Sequence, residues 1–251
     1  MNILNIAAYR FVALERLPQL RDAMKSRCQA LGLKGTVLIA EEGINLFLAG
    51  AAGNVEAFLA DLRADARFAA IEVKRSWSAA RPFRRLLVRI KREIVTMREP
   101  GIDPARTPAP RLAPQVLKCW LDAGRDIVLL DTRNQFEVDM GTFEHTLSLG
   151  LKSFSDFPCA TRALAAQVRE RAIVTFCTGG IRCEKAAPWL IRRGFREVYQ
   201  LDGGILNYFE HCGSAHFRGN CFVFDERVAL DADLRQICTA PAPLPPKRIG
   251  A

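Results

Sequence analysis

Apolar positions along the chain switch between a two-residue and a 3.6-residue period, and the order of the switches predicts a fold. Ile3–Phe11 is rich in strand formers, and Leu17, Leu20, Met24 and Leu31 then recur at helical spacing before Gly32. Gly35–Ala40 reads as a strand, Glu41-Glu-Gly43 as a turn and Ile44–Ala49 as the return strand of a hairpin. Asn54 is placed to cap a helix with Val55, Phe58, Leu59 and Leu62 on one face, and Ile71–Trp77 reads as the next strand. The order β-α-β-β-α-β predicts a ferredoxin-like α+β unit over residues 1–98.

Glu99–Pro110 interrupts the pattern with four prolines and little that could pack, which predicts a linker over residues 99–111. A second α/β unit is expected over residues 112–212. Val116, Leu117 and Trp120 suggest a short helix, and Leu164 and Val168 another. Ile127–Asp131 and Ile173–Phe176 are continuous apolar runs, the pattern of parallel strands buried on both faces. Glu184–Arg193 reads as a helix stopped by Gly194, Glu197–Leu201 as a strand, and Asp202-Gly-Gly204 as a tight turn into Ile205–Phe209. In such folds the site lies beyond the carboxyl ends of the strands, where Asp131, Cys177 and Asp202 all fall. In the extension, residues 213–251, Cys221–Asp225 suggests a short strand, and the Pro-rich end reads as disordered or loosely attached.

The chemistry concentrates at Cys177 and the loop after it, Thr178, Gly179, Gly180, Ile181, Arg182 and Cys183. A buried strand delivers a cysteine to two adjacent glycines, and a helix follows. Gly179 and Gly180 let the backbone curl until its N–H groups point at one spot, and the helix N-terminus adds partial positive charge. A sulfur there is held as thiolate, its reactive form. The plain alternative is a structural cysteine ending a core strand. Asp131 and Arg133 are expected to brace the loop, and Asp202 to form its turn. His211, Cys212, His216 and Cys221 match no standard zinc spacing, and His145 stands alone. No iron triad and no flavin or nicotinamide fingerprint is present, so no cofactor is identifiable.

The net charge of +9 favours a polyanionic partner. Between Lys74 and Arg98 nine basic residues face one acid, Glu93, with Trp77 and Phe83 interleaved. Alternation puts Leu86, Val88 and Ile90 on one face and Arg85, Arg89 and Lys91 on the other. Lys74, Arg75, Arg84, Arg85, Arg89 and Lys91 are therefore RNA-binding candidates, against the plainer reading of a solvated strand face. The eight cysteines show no secreted disulfide framework. No apolar run nears the ~20 residues that span a bilayer. The N-terminus reads as a strand rather than a signal peptide, so a cytoplasmic location is expected, with no membrane and no DNA partner.

The Cys177 loop, Asp131-Thr-Arg133 and Leu201-Asp-Gly-Gly204 together resemble a rhodanese domain. Cys177 through Ala186, Gly35 through Asn45, Phe83 through Val95 and Cys221 through Val228 closely resemble the bacterial rhodanese-domain family of tRNA uridine hydroxylases. The resemblance covers nearly the whole chain. It implies an acylphosphatase-like first domain, a parallel-sheet rhodanese domain and O2-dependent conversion of the wobble uridine of certain tRNAs to 5-hydroxyuridine. It implies that Cys177 is the nucleophile and can carry a persulfide, that the main-chain N–H groups of residues 178–183 stabilise the anion, and that Arg182 completes the positive ring. Cysteine to arginine inclusive is six residues; the resemblance implies that this is a sulfur-sized loop and that phosphatase relatives use one residue more, which disfavours a phosphatase. Cys183 is either a resolving thiol or a small residue at the helix start. Glu41, Glu42 and Asn45 belong to a family motif, but the residues themselves suggest only a turn. Relatives commonly have smaller residues after that Asn, and longer ones carry cysteine pairs in a tail. The alternatives are a thiosulfate or persulfide sulfurtransferase and a non-catalytic RNA- or protein-binding module; the oligomeric state is not readable.

Overall fold

The computed structural model describes residues 3–164 and 166–237. The first unit is β1 (Ile3–Phe11), α1 (Leu17–Ala30), β2 (Lys34–Ala40), β3 (Gly43–Ala51), α2 (Ala52–Ala64), β4 (Glu72–Ser78) and β5 (Leu86–Ile90). Its sheet runs β4-β1-β3-β2-β5, with β5 parallel to β2 and the other pairs antiparallel. Alternation sorts the two faces. Leu4, Ile6, Ala8, Ile44, Leu46 and Leu48 pack under the helices against Met24, Cys28, Phe58 and Leu59. Asn5, Ala7, Tyr9, Asn45 and Phe47 project from the opposite face, because side chains alternate along a strand. That face turns toward the second unit.

The second unit comprises β6 (Arg111–Leu112), α3 (Pro114–Asp122), β7 (Ile127–Asp131), α4 (Gln135–Val138), β8 (Gly141–Phe143), β9 (Leu147–Ser148), α5 (Phe157–Arg162), α6 (Ala166–Glu170), β10 (Ala172–Phe176), α7 (Ile181–Arg192), β11 (Glu197–Leu201) and α8 (Gly204–Cys212). Its parallel sheet runs β6-β11-β10-β7-β9. Trp189, Leu190 and Phe157 cover one face, and Leu117, Ile205 and Tyr208 the other. Burial on both faces explains why β7 and β10 read as unbroken apolar runs. β12 (Phe217–Gly219) returns to pair with β8, and β13 (Cys221–Phe222) pairs with β14 (Ala229–Leu230).

Several expectations change. α2 starts at Ala52, so Asn54 is no cap; its Nδ2 donates across to the Leu31 carbonyl. The helix expected around Leu164 and Val168 is two short ones, with Leu164 between them. Cys221–Asp225 forms strand only at its first two residues, and a turn closed by the Asp225–Arg227 ion pair follows. The Pro-rich segment packs more than its composition suggests. Ala109 is buried in the second core, Ile102 packs against that core, and Arg111 already pairs with β11. The Pro-rich tail lies outside the described residues.

Candidate active site

β10 carries Cys177 to the carboxyl edge of the second sheet, where Cys177 is 2% exposed. Two glycines shape the loop. Gly180 has φ +94°, a left-handed conformation costly for any other residue. A side chain on Gly204 would sit 2.4 Å from the Cys177 carbonyl oxygen, so only glycine lets α8 approach. Gly179 is under no such constraint. It lines the cavity over the loop, and a side chain there would meet nothing within 4 Å. Of the two adjacent glycines expected to curl the backbone, only Gly180 is required for the turn. The α8 N-terminus then donates Ile205 N–H to Cys177 O at 2.9 Å and Leu206 N–H to Thr178 O at 3.1 Å.

The sulfur receives the Gly180 N–H at 3.1 Å and the Arg182 N–H. The expected ring of amides is smaller than residues 178–183, because α7 takes the Cys183 N–H for the Gly180 carbonyl at 2.9 Å. Burial pushes the Cys177 thiol up. The Cys183 S–H, the Arg182 charge and the two N–H groups outweigh it and bring Cys177 from 9.0 down to about 6. Cys183 is pushed well up by its own burial and by the neighbouring thiolate, and its sulfur lies 3.8 Å from Thr132 Oγ1. The two thiols thus shift in opposite directions, so Cys177 ionises first while Cys183 keeps a proton that it can donate, a role beyond the two expected for Cys183.

The Arg182 guanidinium is fixed by Glu137 through bonds of 3.1 and 2.8 Å, with the carboxylate fully buried. Glu137 was not among the residues the sequence singled out. Its signal was there: Asn134 and Glu137 form a capping box on α4, in which the Asn134 N–H donates to Glu137 Oε1 at 3.1 Å. Asp131 and Arg133 form a fully buried ion pair at 2.6 Å. Arg133 also donates to the carbonyls of Glu137 and Gly141, and Asp131 accepts from Thr142, so the pair shapes the segment that aims Glu137. Asp202 holds Arg111 at 3.1 Å and closes its turn by accepting the Asn207 amide on its carbonyl.

The open sheet face of the first unit lies over this loop and encloses a cavity of about 260 Å³ lined by Tyr9, Asn45, Lys74, Cys177, Arg182 and Phe224, among others. Polar contacts fasten the two units around it. Tyr9 donates to Glu184 Oε1 at 3.1 Å, and Arg111, which donates to the same oxygen at 2.7 Å, also reaches Glu72 of the first unit at 3.3 Å. The buried Lys185 ammonium meets Glu93 at 2.6 Å, Glu42 at 2.8 Å and the Val95 carbonyl at 3.0 Å. Glu42, read from sequence as a plain turn residue, is therefore part of the domain interface. Burial raises its carboxyl despite Lys185. Glu93 is lowered, because Lys185 and the Met97 and Arg98 N–H groups outweigh its burial. Asn45 also leaves the turn reading, since it lines the cavity with Nδ2 donated to the Ile94 carbonyl.

The six basic candidates divide. Lys74 bonds Asn207 and Glu210 across the interface, Arg75 pairs with Glu56, and Arg84 with Glu226. Arg85, Arg89 and Lys91 form no ion pair among the described residues and lie on or beside β5, on the edge of the same sheet. His211 bonds the Asn207 carbonyl and His216 pairs with Asp122, so the residues considered for zinc point to separate partners. Among the described residues no group of three or more His, Cys, Asp or Glu could hold a metal ion. His145 is exposed.

Residues 3–94 match the model of the UPF0176 acylphosphatase-like domain, and residues 113–211 that of the rhodanese-like domain. A tRNA uridine(34) hydroxylase of Variovorax paradoxus is 55% identical over 92% of this chain and 90% of its own. Another, of Bordetella avium, is 53% identical over 94% of this chain and all of its own. The chain belongs to the tRNA uridine(34) hydroxylase family. A solved rhodanese-like domain from Anabaena sp. aligns over 44% of this chain and 79% of its own, at 22% identity and a TM-score of 0.37. The two domain matches of this family member flank the Pro-rich segment, and the cavity lies between them.

Proposed function

We propose that the chain hydroxylates the wobble uridine of tRNA to 5-hydroxyuridine with O2 as co-substrate and Cys177 as the reacting thiolate, one oxygen atom replacing the base hydrogen and the other leaving as water with two electrons from an external thiol reductant. The observation that carries this reading is a sulfur brought to about 6 that lines a cavity roofed by a second domain, with basic residues on or beside its edge strand that form no ion pair among the described residues. At neutral pH such a sulfur is mostly ionised and needs no external base. Arg182, held by Glu137, keeps positive charge beside it. Arg85, Arg89 and Lys91 supply charge for the anticodon-region phosphates. A tRNA substrate implies cytoplasmic work, and no described helix is long and apolar enough to cross a membrane.

The test is turnover on purified tRNA by wild type and Cys177→Ser, with and without O2 and with a thiol reductant present throughout, read by nucleoside mass spectrometry. The expected product is uridine heavier by one oxygen atom, formed only by wild type and only in air. Product without O2, or undiminished product from Cys177→Ser, refutes the reading.

A further inference from the structure

The interdomain cavity owes its depth to one small residue. On the open face of the first sheet, Ala7 of β1 lies between Phe47 on β3 and Lys74 on β4. Asn5 and Tyr9 flank it along the strand, so a methyl group sits among larger side chains and leaves a pit. The Cys177 loop and Val223, Phe224, Asp225 and Arg227 face that pit. Its volume of about 260 Å³ is just below the ~300 Å³ at which small-molecule sites begin. That suits one nucleotide rather than a run of them.

Two features give the cavity a chemical preference. Asn45 is buried, and one N–H of its Nδ2 donates to the Ile94 carbonyl at 3.3 Å. The amide orientation is thereby set, and Oδ1 is left as an acceptor that receives no hydrogen bond from the described residues. Phe224 is 50% exposed although it lines the cavity. Its ring packs edge-on against Phe222 at 5.0 Å and lies 5.5 Å from the Arg182 guanidinium. The site therefore offers an aromatic ring and one oriented carbonyl oxygen beside a thiolate.

We propose that this cavity receives the wobble uracil swung out of the anticodon loop, that Phe224 stacks on it, and that Asn45 selects it by accepting its N3–H. The proposal rests on the tRNA reading above. A base inside a stack cannot be brought against a buried sulfur, so it must leave the stack. Uracil carries a proton on N3 and cytosine carries a lone pair there, which would face the Asn45 oxygen. A buried acceptor placed at N3 disfavours the ring that presents a lone pair there. Asn45 is thus a specificity residue and Phe224 a positioning one.

The experiment measures binding of two anticodon stem-loop RNAs, identical except for uridine or cytidine at the wobble position, to the full chain at fixed salt. Wild type should prefer uridine. Asn45→Ala should bring the two affinities to within about twofold of each other, with the alkylation midpoint of Cys177 unmoved as evidence of an intact loop. Phe224→Ala, at an exposed position that threatens no fold, should weaken the uridine RNA about tenfold, and Phe224→Tyr should restore it. Equal binding of both RNAs by wild type, a retained preference in Asn45→Ala, or undiminished binding by Phe224→Ala would each overturn the proposal. Binding is read without turnover, so the two readings separate. A wild type that discriminates but forms no product counts against the hydroxylase reading alone. One that forms product while Asn45→Ala still discriminates counts against the pocket alone.

Discussion

Replacing Cys183 by alanine should raise the ionisation midpoint of Cys177. Of the groups that hold Cys177 as thiolate, the Cys183 S–H contributes most, ahead of the Arg182 charge and the two backbone N–H donors. A hydrogen bond to a charged acceptor is worth ~1.5–3 kcal/mol, and a thiol is a weak donor, so the lower figure applies. At 1.36 kcal/mol per pH unit, that predicts a rise of about one unit. The midpoint would move from about 6 to ~7, and the thiolate population at a pH of about 6.5 would fall roughly threefold. Cys183 is fully buried, yet losing one sulfur leaves a void costing only ~1 kcal/mol, so the variant should fold. The assay is the pH dependence of iodoacetamide alkylation, resolved by peptide mass spectrometry. The exposed Cys119 and Cys159 serve as internal controls. Cys183→Ser keeps a donor and should stay near wild type. An unmoved midpoint in Cys183→Ala refutes the donor role. A normal midpoint in Cys183→Ser with lost turnover would instead point to a resolving thiol.

Three further outcomes are expected. Folding takes Cys177 from 9.0 down to about 6, so its ionisation stabilises the native state fully above about pH 9 and not at all below about pH 6. The thermal-unfolding advantage of wild type over Cys177→Ser should shrink on acidification through that window; a growing advantage would contradict the assignment. Lys185→Met strands Glu42 and Glu93, whose side chains are 23% and 21% exposed. The cost should be about 2–3 kcal/mol in urea unfolding, below the ~3–5 of a fully buried pair, and should fade as acid protonates the carboxylates. Combined replacement of Arg85, Arg89 and Lys91 by alanine should weaken tRNA binding uniformly across sequences. It should also flatten the salt dependence by roughly 0.7–0.9 in log–log slope per residue, and an unchanged slope removes this edge from the RNA surface.

What could be read before the structure was local. The hairpin turn at Glu41–Gly43, the unbroken apolar runs of β7 and β10, and the glycines after Cys177 each carry their signal within a few residues. Several of the misreadings share one cause, a partner far along the chain. Asn54 has the chemistry of a cap, but the helix begins two residues earlier and the amide goes to Leu31. Lys74 looks like a free cation until α8 brings Asn207 and Glu210 against it. Glu42 looks like turn polarity until Lys185, 143 residues later, fills the space beside it. Glu137 lies between: its capping box is visible in sequence, but its grip on Arg182 depends on α4 and α7 being adjacent in space.

One turn of helix explains why the two domains form a single site. α7 begins in the Cys177 loop, and its first residues divide by direction. Arg182 and Cys183 face the sulfur, while Glu184 and Lys185 reach the first domain through Tyr9, Glu42 and Glu93. Lys185 is only 3% exposed in the assembled chain. Without the first domain its ammonium would lose both carboxylates and the Val95 carbonyl, and a charge left that way must find water or move. Either response displaces the helix turn that supplies two of the hydrogen-bond donors to Cys177. The acylphosphatase-like domain is therefore a structural condition for the loop as well as a wall of the cavity. A thiolate set this way is ready only when the surface that would carry RNA is already seated beside it.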